Sequence, residues 1–466
     1  MSSAEPSERG PVGAAITPRQ ICRSGLCIGC GACMAGVDAD RPRMRLDRYG
    51  QFKPDATLPH LPNGPGIAHV CPFSPHSRNE DEIAAARFSS ARYVDPLIGR
   101  FHAAYVGHVA EGSFRADGSS GGMASWTAVE LLKERLVDGI AHVVPQTAGG
   151  EGKPLFGYRI SRSVEDVCYG AKSRYYPVEM SGALDEMRRR PGRYAVVGIP
   201  CFVKAVQLLR LEDPVLRDRI PFTLGLFCGH MKSARFVESF AWQMGESIES
   251  IAAVDYRLKD PRRPANWYTA HLRLKDGSTR SRDWWHLADG DWGAGFFQNS
   301  ACNFCDDLTG ETADISFGDA WVEPYSSDGH GTNVVVVRSP ELHRLIDRAV
   351  EKGRLNLEEV DSAFVVRTQA AGFRQRREGL AFRLSWPRLG VRPAKRVPPS
   401  FTGLPARRML IYWLRSAISA QSHRVFWCAR TLRMPQLYIR WASTMLALYQ
   451  GITYSRGWIG RLFGPR

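Results

Sequence analysis

The chain has 466 residues, 44% hydrophobic and 23% charged, which supplies a sizeable core and room for two or three domains and excludes a disordered or fibrous class. Its formal net charge is +15, yet no Asp or Glu follows Glu378 while fifteen Lys and Arg do, leaving 47 basic against 47 acidic side chains before that point. The body is therefore neutral, and the whole positive excess lies in a C-terminal tail.

Residues 1–20 are small and polar and read as disordered. They contain no apolar h-region, so the expectation is a cytoplasmic, reducing location in which disulfides are disfavoured. Residues 21–99 read as a small loop-rich domain of ferredoxin-like type, built on Cys27-x-x-Cys30-x-x-Cys33 and a remote Cys71-Pro72. Structural zinc is usually closed by two separated Cys pairs. Three Cys at two-residue intervals with a distant Cys-Pro match the run that wraps three corners of a 4Fe–4S cube. Gly29 and Gly31 between the ligands let the backbone pass close to the sulfurs. Cys22 lies near enough in sequence to substitute for a ligand but is not counted as one, and Cys168 and Cys428 read as small buried hydrophobes.

From residue 100 to 400 the pattern is α/β. Ser119-Ser120-Gly121-Gly122 opens a helical run, with Gly139 as its stop and an apolar strand after it. Small residues at a helix start leave N–H groups for a pyrophosphate, although Ser-Gly is also an ordinary helix opening and no GxGxxG fingerprint is present. Lys172, Arg174 and Tyr175 form a basic loop within reach of such a cofactor, or a solvated loop and nothing more. Strands over 194–199 and 222–227 each end in a turn carrying a cysteine, Cys201 and Cys228, and each precedes a helix. Ligands of open α/β sheets collect at that edge. With Cys302-x-x-Cys305 these form a second quartet, which by itself is equally readable as a cluster, a zinc site or a redox site.

Residues 401–466 read as a basic amphipathic helical tail. Arg408 and Arg415 are seven apart, as are Arg433 and Arg440, with Trp413, Trp427, Leu437 and Trp441 among them. This composition suits either an anionic membrane surface or docking on the body or a partner subunit. A span is not expected, because the longest uncharged stretch there, Trp441 to Ser455, has fifteen residues against the roughly 20 required. Nucleic acid is not an expected partner, since no reading motif is present.

Taken together, the segments CIGCGAC with Cys71-Pro72, DGSSGGMASW, GAKSRYY, VVGIPCFVKAV, GLFCGH, CNFCDDLTGETADISFGDAW and NVVVVR resemble, in order, the beta subunit family of coenzyme F420 hydrogenase/dehydrogenase. The resemblance implies an oxidoreductase carrying FAD and one or two 4Fe–4S clusters. It implies that Cys27, Cys30, Cys33 and Cys71 hold one cluster and Cys201, Cys228, Cys302 and Cys305 a second. Ser119, Ser120, Gly121 and Gly122 would hold FAD, with Lys172 near the isoalloxazine. Electrons would pass between a ferredoxin-like one-electron donor, or a partner redox subunit, and an unidentified two-electron organic substrate. The rival reading is a non-catalytic electron-transfer subunit of a larger complex. Members with such tails accompany cell-surface polysaccharide enzymes, which implies a peripheral position on the inner face of the membrane.

Overall fold

The computed structural model describes residues 16–37, 43–55, 66–146 and 154–456. Most of the N-terminal stretch expected to be disordered lies outside them, but its end is ordered: Thr17 forms a capping box with Gln20 over a helix at Pro18–Arg23.

The fold is mixed α/β around one eight-stranded sheet. Its strands are β1 (Ala103–Val109), β2 (Gly139–Pro145), β3 (Phe156–Ser161), β4 (Tyr194–Gly198), β5 (Phe222–Leu226), β6 (Ile315–Asp319), β7 (Asn333–Val337) and β8 (Leu355–Glu359). They lie in the order β8-β1-β7-β6-β5-β4-β2-β3. The central strands β2, β4, β5 and β6 are mutually parallel, and the outer pairings are antiparallel. Parallel strands buried on both faces read as unbroken apolar runs, and those runs carry the two cysteine turns. Gly198 of β4 pairs with Gly225 of β5. Cys201 and Cys228, each three residues further on, therefore emerge side by side at one edge.

Helix α1 (Met123–Lys133) follows the Ser-Ser-Gly-Gly turn, and α2 (Pro200–Glu212) starts with Pro at its first position, where no N–H is needed. Gly139 is not the stop of α1: the helix ends at Lys133, Arg135 turns the chain at φ 54°, and Gly139 already belongs to β2.

The tail forms a hairpin of α3 (Ala406–Thr431) and α4 (Pro435–Tyr454). Its antiparallel course is fixed where Arg407 donates to Ile452 O at 2.8 Å. The hairpin packs on the body. Phe297 meets Phe426 and Tyr438 at ring distances of 5.3 Å each, and Trp242 stacks on Phe426 at 4.3 Å. Tyr438 Oη donates to the buried Asp289 carboxylate at 2.9 Å, and Ser422 Oγ accepts from Phe297 N–H at 2.9 Å. Ile28 of the N-terminal region, Phe202 of α2, Phe297 and Tyr438 share one hydrophobic core. The two arginines expected on one polar face of the tail are also engaged. Arg415 is buried and Arg408 pairs with Glu378 at 2.8 Å. Among the described residues no helix is long and apolar enough to cross a membrane.

Candidate functional site

The structure brings each predicted quartet together. Cys27, Cys30, Cys33 and Cys71 line one recess with Gly29 and Gly31. Both glycines adopt left-handed conformations, φ 85° and 81°. A Cβ on Gly29 would come within 2.6 Å of Phe52 O, and one on Gly31 within 2.6 Å of Glu179 Oε2, so the loop closes only without side chains there. Lys53 Nζ donates to Cys27 O at 2.7 Å. Burial pushes the Cys71 thiol up to about 12, and burial together with the charges of its three companions pushes Cys33 up as well. Burial first, and the neighbouring thiols after it, oppose ionisation of Cys30, Cys33 and Cys71. Cys22 is the neighbour that most lowers the Cys27 thiol, and it is not among the cysteines lining the recess.

In the second quartet Cys201 opens α2, Cys228 follows β5, and Cys302 and Cys305 come from a 3-10 turn at Ser300–Phe304. Met231 N–H donates to Cys302 Sγ at 3.4 Å, and Cys228 N–H donates to Leu308 O at 3.1 Å. Cys302 is pushed up to about 11 by burial. Cys201 is raised by burial, then by the charges of Cys305, Cys228 and Cys302, and also by Cys30 of the other quartet. The two sites are thus neighbours. Tyr158, donating to Val197 O at 2.9 Å, feels both Cys201 and Cys30. Ser300 Oγ donates to Gly25 O at 2.7 Å, tying the second loop to the first.

Among the described residues no three His, Cys, Asp or Glu side chains converge on a single-ion position. All eight thiols are free of disulfides. Cys428 is exposed and Cys168 half-buried, so neither is the buried hydrophobe expected.

The Ser119–Gly122 loop and the Lys172 loop meet: Ser173 N–H donates to Ser119 Oγ at 2.8 Å. Lys172 is left-handed, φ 95°, and its Nζ lies 3.3 Å from Asp255. Gly122 caps α1 at φ 86°, but the first helical N–H is not open to a phosphate, because Met123 N–H donates to Asn333 Oδ1 at 3.1 Å. Sequence reasoning missed Lys259 and Arg257. Lys259 Nζ donates to Ser120 O at 2.9 Å and His330 O at 2.8 Å, and burial followed by the charges of Lys172, Arg115 and Arg257 lowers it to about 8. Arg257 pairs with Asp319 at 3.1 Å and covers the Tyr268 ring at 4.2 Å. Both follow the strand Ile251–Asp255 in a small antiparallel sheet. A basic rim beside buried aromatic rings fits a ligand with phosphates and a planar ring system.

The family's N-terminal profile, coenzyme F420 hydrogenase/dehydrogenase beta subunit N-term, matches residues 104–185, and the C-terminal profile matches residues 192–363. Together they cover more than half of the sequence. The chain belongs to the coenzyme F420 hydrogenase/dehydrogenase beta subunit family. A coenzyme F420-dependent sulfite reductase of Methanocaldococcus jannaschii is 25% identical over 362 residues, 73% of this chain and 49% of that protein. An uncharacterized protein of the same archaeon is 24% identical over 251 residues, 52% of this chain and 61% of its own length. The chain thus spans about half the length of the first of these relatives. A chain of the F420-reducing NiFe hydrogenase complex from Methanosarcina barkeri superposes with TM-score 0.47 and 18% identity over 63% of this chain and 95% of that one. The family is one of oxidoreductases that move electrons. Both cysteine pairs of the second quartet, and the loops at Ser119 and Lys172, fall inside the matched segments, whereas the first quartet precedes them and the hairpin follows them.

Proposed function

We propose that this chain is an iron–sulfur flavoprotein oxidoreductase that passes electrons between a ferredoxin-like donor or partner redox subunit and a two-electron organic substrate. The observation that carries the reading is the convergence of eight thiols into two adjacent sets. Cys27, Cys30, Cys33 and Cys71 would hold one 4Fe–4S cluster, and Cys201, Cys228, Cys302 and Cys305 a second. Ser119, Ser120, Gly121, Gly122 and Lys172, with Lys259 behind them, would hold FAD. When bound, these groups supply one-electron relay and two-electron exchange in a single protein.

The chain's own residues position and seal. Gly29 and Gly31 let the first loop close, and Ser300 and Asn299 bind it to the second through Gly25 O and Ile28 O at 2.7 and 3.4 Å. Lys259 fixes the Ser120 carbonyl, and Lys172 and Arg115 add positive charge for a pyrophosphate. Protein purified without oxygen should carry about eight iron atoms and one FAD per chain. Zinc in place of iron, or absence of flavin, would refute the assignment. A non-catalytic relay subunit is the second reading, favoured by the sulfite reductase relative, of which this chain matches only 49%.

The hairpin supports a peripheral membrane position through its tip alone. Leu432, Met434 and Leu437 are 60%, 56% and 41% exposed, and Arg424, Arg430, Arg433 and Arg440 around them are exposed. Each basic residue contributes on the order of 1 kcal/mol at an anionic surface, and apolar insertion adds a part that salt does not screen. A link to cell-surface polysaccharide synthesis would suit that position. Leu432→Glu with Leu437→Glu should abolish binding to phosphatidylglycerol vesicles while iron and flavin stay bound. Truncation at Ser400, by contrast, should yield insoluble protein, because it uncovers Phe297 and Trp242. Equal vesicle binding by the double variant and the wild type would exclude the tip.

A further inference from the structure

We propose that the chain beyond the family-matched region provides the counter-charge of the second cluster, with Arg376 as the positioning residue that raises its reduction potential and so draws electrons from the first cluster toward the second. This rests on the cluster reading above.

Arg376 is 5% exposed, and its guanidinium bonds to main-chain carbonyls: Nε to Asp307 O at 2.9 Å, and Nη2 to Gly229 O at 3.0 Å and to Cys228 O. Arg383, also 5% exposed, donates to Asn303 O at 2.8 Å and Gln375 O at 2.9 Å. Arg415 donates to Gly293 O and to Gln298 Oε1 at 3.2 Å. The ion pairs found among the described residues include none of the three. Asp307 is close, but its carboxylate accepts from Gly310 and Glu311 N–H at 2.8 and 2.9 Å.

A buried cation without a carboxylate is strongly disfavoured, and three in one region disfavour one another. Burial, Arg415 and Arg376 together pull Arg383 down to about 9. Arg376 instead sits against the second quartet, with its guanidinium on the Cys228 and Gly229 carbonyls. A cube ligated by four thiolates carries net negative charge, and one held at those sulfurs would face the Arg376 guanidinium across the Cys228 carbonyl. All three arginines lie after residue 363, where the family match ends.

The cations near the first quartet include Lys53 on the Cys27 carbonyl and Lys204 close to Cys71 but paired with Glu80 at 3.1 Å, and neither is a buried guanidinium without a carboxylate. Net charge and hydrogen bonds near the sulfurs set cluster potentials, and excess positive charge favours the reduced form. The second cluster therefore has the higher potential, and an electron placed on the first is drawn to the neighbouring second.

The test is a redox titration of the full-length protein, purified without oxygen and followed by electron paramagnetic resonance. The Cys30→Ser variant identifies the signal of the second cluster. In Arg376→Met the second cluster's reduced-to-oxidised ratio at fixed ambient potential should fall at least tenfold, about 59 mV for one electron, while the first is unchanged. Arg376→Lys should stay near wild type. An unchanged second potential with iron retained, equal shifts in both clusters, or a wild-type first cluster easier to reduce than the second would overturn the proposal. So would iron loss in the Lys variant as complete as in the Met variant, because that marks a structural role for the guanidinium. Wild-type protein without iron would instead remove the cluster reading itself.

Discussion

Cys201→Ser is expected to leave about four of about eight iron atoms per chain, with the other half lost. Iron–sulfur cores select soft thiolates, and a serine oxygen at the first turn of α2 is a hard, weakly ionised substitute. The loss should be confined to one site, since the remaining quartet is complete and its loop is closed by Gly29, Gly31 and the Lys53 contact to Cys27 O. Cys30→Ser should give the mirror result. Cys22→Ser should leave all the iron in place, because Cys22 is not among the cysteines lining the recess. Iron and acid-labile sulfide per chain, measured on protein purified without oxygen, decide the matter. Full iron in the Cys201 variant would remove that residue from the ligand set. Loss of all iron from either variant would mean that the two quartets are not separate sites.

Lys172→Gly should weaken flavin binding roughly tenfold to a hundredfold and leave the fold no less stable. A charge-assisted contact is worth about 1.5–3 kcal/mol, and this side chain stands beside the Ser119 loop. The backbone effect runs the other way. At φ 95° a lysine is strained by about 1–2 kcal/mol, which glycine relieves. That gain offsets the largely buried Asp255 pair, its side chains 20% and 21% exposed and worth about 1 kcal/mol, and glycine's larger entropy loss on folding. Flavin retained per chain and the unfolding midpoint of the flavin-free protein report the two effects separately. Unchanged flavin in a protein as stable as wild type would reduce the loop to an ordinary turn. Gly121 is the less discriminating position. A Cβ there would meet Gly107 O at 2.8 Å and Asn333 N at 2.9 Å, so a side chain would disrupt the sheet whether or not flavin binds.

What the sequence could disclose follows from how local the signals are. Two-residue spacing between Cys27, Cys30 and Cys33 needs only one tight loop, and the apolar runs before Cys201 and Cys228 need only adjacent parallel strands. Both are short-range patterns, and both appear in the fold as the spacing predicts. The partners of Arg257 and Lys259 are not local. Asp319 and His330 lie 62 and 71 residues away in sequence, and it takes the small antiparallel sheet to deliver them. Lys395 and Arg396 reach Asp306 and Glu311 from 89 and 85 residues beyond, closing over the second quartet in a way no motif announces.

The tail marks the boundary most clearly. Its sequence by itself determined that it would be helical, basic and too short in apolar stretch to span a membrane. Which residues it would bury was decided by tertiary structure, because an arginine at helical spacing reads as polar surface until a carbonyl-rich wall stands opposite it. The Gly293 and Gln298 oxygens are such a wall for Arg415. Hydrogen-bonding capacity offered by a distant segment, which periodicity does not record, turned an expected surface charge into a buried one.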